Sequence, residues 1–236
     1  MYKQIPLAIS PDTGLTFDNF YQSDSVKPII SELKKFISSP ESQSEPFLYL
    51  WGEKQSGVTH LLNAVQNHSS LYSSSLSMQY LPLKELIQYS PLDILEGVEQ
   101  MDIVCVDDID CLESKLDWQE SVFHLYNRLR DGGKKLVVGG HQPPTKIAVS
   151  LSDLQSRLQW GITLCLHGLT NENKALAIQF YAQTVGMELT NEVARYLMQR
   201  TDRSSRALFD LMKKIDHASL SEQRKLTIPF IKTLIS

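Results

Sequence analysis

The sequence predicts an α/β fold, in which helices connect the strands of a parallel sheet, followed by an all-helical unit. Short apolar runs bounded by turn-forming residues alternate with stretches of helical periodicity, which is typical of a parallel sheet with strands buried on both faces. The strand signal stops after Gly168, and later apolar residues follow helical spacing. A chain of 236 residues suits one large domain or a core domain with a smaller second one.

The elements follow one another regularly along the chain. The expected strands are Phe47–Trp51, Met78–Leu81, Ile103–Val106, Leu136–Val138 and Ile162–Leu166. The expected helices between them are Thr59–Gln66, Pro82–Gln88, Trp118–Leu129 and Leu151–Leu158. Serine-rich segments 38–46 and 69–77 predict surface connections. In the helical part, Gly186 predicts a helix stop, a second helix is expected near Thr190, and Pro229 is expected at the first position of the last helix.

Composition excludes a membrane-spanning helix and favours the cytoplasm. The longest unbroken apolar run, Phe47–Trp51, is far shorter than the ~20 residues that a membrane helix needs. The amino end has no apolar stretch of the kind found in export signals. The three cysteines form no CxxC pair, and neither they nor the histidines have the spacing of a metal site, so metal and thiol chemistry find little support.

The charge is unevenly distributed along the chain. The net charge of −4 argues against a generally basic, nucleic-acid-binding surface. Residues 1–168 carry 13 basic and 20 acidic side chains, whereas residues 169–236 carry 10 basic and 7 acidic ones. We therefore expect the two parts to face different partners or each other.

A glycine-rich segment follows the first predicted strand. It matches the phosphate-loop pattern GxxxxGK[ST] at both glycines and at the final threonine, but valine replaces the lysine. Backbone N–H groups of such a loop and the dipole of the next helix bind phosphate. The candidate nucleotide-binding residues here are Gly52, Ser56, Gly57, Val58, Thr59 and His60. An ordinary strand-to-helix turn is the alternative.

Paired acids end the third predicted strand. Asp107 and Asp108 directly follow the apolar run, at the edge of the sheet where the phosphate loop is also expected. Such carboxylates can hold Mg²⁺, and Thr59 with Asp107 are the candidate ligands. A solvated strand end is the alternative. His141, after the fourth strand, is a weaker candidate for the same crevice.

Several segments together resemble AAA+ proteins of the DnaA branch, and especially a regulator that inactivates the replication initiator DnaA. Besides the phosphate loop and the paired acids, the segments that carry this resemblance are Thr16–Phe20, Gly140–Pro144, Ser156–Gly161, Asp202–Arg206 and Gln223–Phe230. The resemblance implies an AAA+ P-loop base domain over residues 11–168 and a helical lid over 169–236. The initiators carry a further DNA-binding domain beyond the lid, and we expect none here.

The resemblance also implies roles for individual residues. Arg157 resembles the arginine finger that one AAA+ subunit offers to nucleotide in its neighbour, and Arg206 resembles the sensor 2 arginine of the lid. Val58 replaces the phosphate-binding lysine, and His141 stands where the initiators have an acidic sensor 1 residue. These departures argue against robust hydrolysis by the chain itself, and the family implies bound ADP, with Asp107 as a possible Mg²⁺ ligand.

The amino-terminal residues 1–10 resemble the short peptides with which bacterial proteins bind the β sliding clamp of DNA polymerase III. The pattern rests on Gln4, Leu7 and Ile9. An extended peptide of this kind can place an amide in a polar notch and its apolar side chains in a groove. A frayed terminus or a first packing strand is the alternative.

These features together predict a negative regulator of replication initiation. Bound to the DNA-loaded clamp, it would offer Arg157 to ATP held by DnaA and promote its hydrolysis, contacting DNA mainly through the clamp. We also expect a homo-oligomer. The first alternative is a self-sufficient AAA+ ATPase of the clamp-loader or remodelling type, against which Val58 argues. The second is a DNA-binding adaptor, which the acidic base domain disfavours.

Overall fold

The computed structural model describes residues 12, 14–38, 46–72, 76–200, 204–222 and 226–235. The chain divides into two compact units. The first comprises Asp24–Leu166 with the described residues up to Phe20, and the second comprises Tyr21–Ser23 with the described residues from His167 onward. Among the described residues, no helix is long and apolar enough to cross a membrane.

The first unit is built on a five-stranded parallel sheet in the order β2-β3-β4-β1-β5. The strands are β1 (Phe47–Trp51), β2 (Met78–Pro82), β3 (Ile103–Asp107), β4 (Lys135–Gly140) and β5 (Ile162–Cys165). All five predicted strands are thus confirmed. Burial on both faces is confirmed for β3 and β4 and for most of β1, but it is wrong for β5, where no residue is buried.

Six helices pack on the described part of this sheet. They are α1 (Lys27–Ser38), α2 (Val58–Tyr72), α3 (Leu83–Leu86), α4 (Pro91–Leu95), α5 (Leu116–Asp131) and α6 (Ser152–Leu158). The sequence reasoning missed α1 and α4. Helix α2 also runs to Tyr72, so the connection predicted from Ser69 onward is wrong over its first residues. Short 3₁₀ turns at Val98–Gln100 and Ile109–Leu112 flank β3.

The sheet has an apolar core on each face. Alternate strand residues point to opposite sides, so Leu48, Cys105 and Val137 pack with α1 and α2 on one face. On the other face, Val104 and Val138 pack with the helices from α3 to α6. Because all five strands are parallel, their carboxyl ends meet at one edge of the sheet, where the loops after β1, β3 and β4 lie.

The second unit is all-helical over its described residues. Its helices are α7 (Asn171–Thr184), α8 (Asn191–Arg200), α9 (Ser205–Glu222) and α10 (Ile228–Ile235), and they share one apolar core. The predicted stop at Gly186 is confirmed, since this glycine has a φ of +75° just after α7. Pro229 lies at the second position of α10 instead of the first, because Thr227 precedes the helix and caps it, its hydroxyl accepting from the Phe230 N–H at 3.5 Å.

Candidate nucleotide site

The loop between β1 and α2 has the backbone of a tight phosphate-binding turn. Its left-handed residues are Gln55 (φ 71°) and Gly57 (φ 106°). A Cβ on Gly57 would lie 2.7 Å from the Phe20 ring, and one on Gly52 would lie 2.3 Å from the Leu166 carbonyl oxygen. Both glycines are therefore required by close packing, and Gly57 is required by its backbone conformation as well.

The side chains inside the loop are only partly those of a phosphate site. Ser56 is 9% exposed, and its Oγ has no hydrogen-bond partner among the described residues, so a buried polar group is left for a ligand. Val58, at the position of the motif's lysine, is 3% exposed and belongs to the apolar core under α2. Thr59 is exposed. The loop thus has no ammonium group at the position where the motif places one.

His60 ties the amino-terminal segment to the first turn of α2. Its Nε2 lies 2.9 Å from the Thr16 carbonyl oxygen and 3.1 Å from Asn19 Oδ1. The Phe20 ring packs edge-on against the imidazole, with centroids 4.9 Å apart. His60, predicted to contact nucleotide, therefore holds in place the segment that includes Phe20, which in turn covers Gly57.

The paired acids differ in their surroundings at the end of β3. Asp107 is 2% exposed; its Oδ2 accepts from the Tyr80 hydroxyl at 2.8 Å and its Oδ1 from the Asp108 N–H at 2.9 Å. Asp108 has a left-handed backbone, with φ 57° and ψ 42°, which is uncommon outside glycine. Burial, together with the nearby charge of Asp107, raises the pKa of Asp108.

The structure brings His141 to these acids. Its Nε2 lies 3.2 Å from Asp108 Oδ1, and its backbone N–H donates to Asp110 Oδ2 at 2.6 Å. His141 Nδ1 is buried and has no hydrogen-bond partner among the described residues. His141, the weaker candidate from the sequence, thus lies at the carboxyl edge beside Asp108. Its backbone is fixed by Asp110, a residue that the sequence reasoning had not singled out.

The residues predicted to hold Mg²⁺ do not fit that ion as they are arranged. Asp107 is buried and both of its oxygens accept hydrogen bonds, whereas Thr59 is exposed to solvent. Mg²⁺ requires octahedral oxygen coordination and usually keeps several waters. Among the described residues, no group of three or more histidine, cysteine or acidic side chains is arranged to hold a metal ion.

Arg157 lies in the last turn of α6 and is partly exposed. Its guanidinium lies 4.4 Å from the centroid of the Trp160 ring and 5.8 Å from that of Tyr126. Trp160 is itself 52% exposed. The two aromatic rings orient the guanidinium by cation–π attraction, and part of it is accessible from solution.

The start of the Arg157 helix is fixed by Gln119, which sequence reasoning missed. Gln119 is 0% exposed on α5, and its Nε2 donates to the Leu112 carbonyl at 2.7 Å. Its Oε1 accepts from the Ser150 N–H at 3.0 Å and from the Leu151 N–H at 2.9 Å. A single side-chain amide therefore joins the turn after the acids to the residues that precede α6.

The remaining site candidates lie elsewhere in the chain. Arg206 is an exposed residue of the first turn of α9, and its Nε lies 3.8 Å from Asp210 Oδ2. Gln4, Leu7 and Ile9 lie outside the described residues.

Comparison with known families accounts for most of the sequence. Residues 12–165 match the model of the bacterial DnaA ATPase domain, which is more than half of the chain. The chain belongs to the bacterial DnaA ATPase-domain family. Residues 171–235 match the model of the Hda lid domain, so this DnaA-related AAA+ protein is Hda-like in its helical unit. A Haemophilus influenzae protein described as uncharacterized is 36% identical over 237 residues, covering all of both chains.

Solved structures support the AAA+ fold of this DnaA-family chain. Domain III of the replication initiation protein DnaA from Thermotoga maritima has a TM-score of 0.79 at 23% identity, covering 95% of this chain and 96% of that one. AMPPCP-bound DnaA from Aquifex aeolicus has a TM-score of 0.72 at 23% identity, with coverages of 91% and 69%. The Thermotoga maritima RuvB branch migration motor has a TM-score of 0.66 at 16% identity, with coverages of 93% and 70%. The predicted AAA+ base with a helical lid is confirmed.

Proposed function

We propose that this DnaA-family chain is a negative regulator of replication initiation, which promotes hydrolysis of ATP bound to the initiator DnaA by offering Arg157 in trans. The observation that carries the proposal is Val58, a buried apolar side chain at the position of the phosphate-binding lysine. An AAA+ module without this cation is poorly equipped to turn over its own triphosphate. It can still act on a partner's nucleotide.

Arg157 has the chemistry that this role requires. A guanidinium placed on a γ-phosphate neutralises charge that develops in the transition state, and a finger supplied in trans is worth ~10³ to 10⁵ in rate. In the free chain its guanidinium packs against Trp160, itself largely exposed. This stacking limits the side chain's freedom before the partner docks and so reduces the entropy lost on binding.

The nucleotide of the chain itself would be ADP. The loop retains Gly52 and Gly57, and Ser56 Oγ is a buried polar atom without a partner among the described residues. The related DnaA of Aquifex aeolicus has been solved with AMPPCP, a nucleotide analogue. Arg206 would contribute from the lid as the sensor 2 arginine. We expect ADP to bind with little turnover.

The amino-terminal peptide would bring the regulator to its target. Gln4, Leu7 and Ile9 would bind the β sliding clamp, and through the clamp the chain would be held near DNA in the cytoplasm. A contact made from a tether is effectively intramolecular, so the local concentration of regulator at clamp-bound initiator rises without any new contact. A second copy of the chain is a further expected partner.

Reconstitution with ATP-bound DnaA and clamp loaded on DNA tests the finger. Arg157→Ala should lower stimulated hydrolysis by ~10³-fold or more, while clamp binding and folding stay unchanged. Arg157→Lys should be nearly as poor, since an ammonium lacks the planar fork of guanidinium. Arg130→Ala, which removes an arginine that contacts the adjacent Asp131, is the matched control. Wild-type stimulation by Arg157→Ala would refute the proposed role.

The tether is tested separately. Gln4→Ala combined with Leu7→Ala should abolish clamp binding without lowering the free energy of unfolding, because the apolar cores of the described units are built from later residues. Surface plasmon resonance on immobilised clamp measures the first effect, and urea denaturation measures the second. Unchanged clamp affinity would refute clamp binding by this segment.

ATP hydrolysis by the purified chain alone distinguishes the proposed regulator from a self-sufficient ATPase. Turnover below ~1 s⁻¹, the low end of the usual enzymatic range, is expected because of Val58. Turnover at or above that rate, in the absence of DnaA, would favour a self-sufficient ATPase of the clamp-loader or remodelling type.

A further inference from the structure

We infer that this chain binds its nucleotide without a magnesium ion, because the Tyr80 hydroxyl occupies the carboxylate that would otherwise hold the metal. The inference rests on the nucleotide site of the proposed function and specifies its chemistry. It concerns Asp107, at the carboxyl end of β3, and Tyr80, on the neighbouring strand β2.

Strand register places Tyr80 beside Asp107. In the parallel pair of β2 and β3, Pro82 is opposite Asp107 and Tyr80 is opposite Cys105. Residues two apart on a strand point to the same face, so Tyr80 and Asp107 share the face covered by α2. The Tyr80 side chain is long enough to reach diagonally from β2 to the end of β3, and its hydroxyl lies 2.8 Å from Asp107 Oδ2.

The hydroxyl is held as a donor. Tyr80 is 7% exposed, and its protonated hydroxyl donates to Asp107 Oδ2.

The other carboxylate oxygen faces close neighbours. A Cβ built on Gly139 would lie 2.8 Å from Asp107 Oδ1, 2.8 Å from Leu62 Cδ1 and 3.1 Å from Val58 Cγ1. Asp107 Oδ1 therefore lies among apolar groups, and it already accepts from the Asp108 N–H. A magnesium ion with its bound waters would have to share the carboxylate with both donors and open this packing.

The consequence for ligand choice follows from charge. Magnesium normally bridges the β- and γ-oxygens of a triphosphate and neutralises them. Here Val58 supplies no cation and Asp107 already accepts two hydrogen bonds. The phosphate contacts left in the base unit are the backbone N–H groups of the loop, the Ser56 hydroxyl and the dipole of α2. This arrangement suits a metal-free nucleoside diphosphate, whose charge is smaller than that of a triphosphate.

Titration of the full chain with ADP tests the inference. Isothermal calorimetry is run with excess Mg²⁺ and again with excess EDTA, and the two dissociation constants should agree within about twofold. A loss of affinity of about tenfold or more in EDTA, equivalent to about 1.4 kcal/mol, would overturn it. Electron paramagnetic resonance with Mn²⁺ and ADP provides an independent readout, in which no protein-bound Mn²⁺ signal is expected.

The variant Tyr80→Phe tests whether the Tyr80 hydroxyl is the reason why binding does not need magnesium. It keeps the ring and removes the hydroxyl, which frees Asp107 Oδ2, so ADP affinity should become dependent on Mg²⁺ and a bound Mn²⁺ signal should appear. Tyr49→Phe is the matched control: Tyr49 is also buried, but its hydroxyl donates to the Gln142 carbonyl at 3.1 Å. ADP binding by this control should stay independent of Mg²⁺.

The outcomes separate this inference from the proposed function. Magnesium-dependent binding by the wild-type chain overturns the inference alone, and magnesium-independent binding by a folded Tyr80→Phe overturns the assignment to Tyr80. Circular dichroism establishes that the variant is folded, and the wild-type comparison does not depend on it. Absence of ADP binding in both buffers would refute the chain's own nucleotide site, whereas the Arg157 experiment would still test regulation in trans.

Discussion

The two ends of strand β3 carry acidic residues in opposite electrostatic situations. Asp102 immediately precedes the strand, while Asp107 ends it and Asp108 follows. At the amino end the carboxylate is surrounded by donors, one of them a cation. At the carboxyl end two carboxylates lie next to each other, and one of them is almost completely buried.

The amino end is arranged for stability. Lys134 Nζ lies 2.6 Å from Asp102 Oδ1, and the N–H and hydroxyl of Ser77 donate to Oδ2 at 2.8 and 2.7 Å. The hydrogen bonds from Lys134 and Ser77 lower the pKa of Asp102 from 3.8 to about 2. Since this carboxylate is better solvated by the protein than by water, its charge favours the folded state.

The carboxyl end is arranged differently. Burial and the charge of Asp107 raise the pKa of Asp108, so its charge opposes folding. His141 Nε2 offsets part of this cost at 3.2 Å from Asp108. Perturbed acids with such unfavourable surroundings cluster at functional sites. The same strand therefore has a stabilising carboxylate before its amino end and an electrostatically unfavourable pair of carboxylates at its carboxyl end.

The largest expected effect is that of Asp102→Ala. This substitution should lower the free energy of unfolding by roughly 1.5–3 kcal/mol at pH 7, because it removes the charge-assisted hydrogen bonds from Lys134 and Ser77. A lowered carboxyl pKa contributes stability above the unfolded value of 3.8 that is lost as pH falls towards 2. Urea denaturation at pH 7 measures this loss of stability, and the same measurement at pH 3 tests its dependence on pH.

A matched control is Asp24→Ala, whose fully exposed carboxylate pairs with Lys27 three residues away. This variant should resemble wild type. If Asp102→Ala is as stable as the control, the amino end of β3 does not stabilise the fold and the comparison fails.

A smaller effect of opposite sign is expected for Asp108→Asn. The variant should be more stable at pH 7 by about 0.5–1 kcal/mol, since it removes a charge that burial and Asp107 disfavour, and asparagine tolerates left-handed backbone. A raised folded pKa costs stability as pH rises above 3.8, so the advantage should vanish near pH 3. Thermal unfolding at both pH values measures this difference in stability, and Asp131→Asn, at an exposed carboxylate, is the control. A destabilised variant at pH 7 would show that the His141 contact outweighs burial.

The smallest expected effect tests how much the charge of Asp107 contributes to the raised pKa of Asp108. Asp107→Asn keeps the shape and an acceptor for the Tyr80 hydroxyl but removes the neighbouring charge. The pKa of Asp108 should then fall only part of the way towards its ordinary value, because burial is the larger cause. Carboxyl chemical shifts followed by pH titration measure this, and an unchanged pKa would assign the whole shift to burial.

Much of the fold was predictable because its signals are local. The five apolar runs identify the strands, and Gly52, Gly57 and Asp107 identify the carboxyl edge. Helix α1 was missed although Ile30, Leu33 and Ile37 have helical spacing and are buried. The weak burial of β5 was not predictable from hydrophobicity, since its apolar residues Ile162, Leu164 and Cys165 are only partly buried.

The site was predictable in position but not in detail. The Tyr80 contact depends on the register of β2 against β3, and no local pattern encodes it. Gln119 is polar in sequence but completely buried, because its amide meets backbone groups from two distant segments. The roles of Arg157, Arg206, Gln4, Leu7 and Ile9 stay predictions, since each depends on a partner molecule.

Gln119 also has a consequence for local unfolding. Its amide connects Leu112, in the turn that follows Asp108, with Ser150 and Leu151, which lead into α6. Two segments that share one buried amide lose its hydrogen bonds together, so they behave as one cooperative unit in hydrogen exchange. The backbone amides of Ser150 and Leu151 should therefore exchange in step with those around Asp110 and Cys111. We therefore expect helix α6, which carries Arg157, to fray together with the acidic turn.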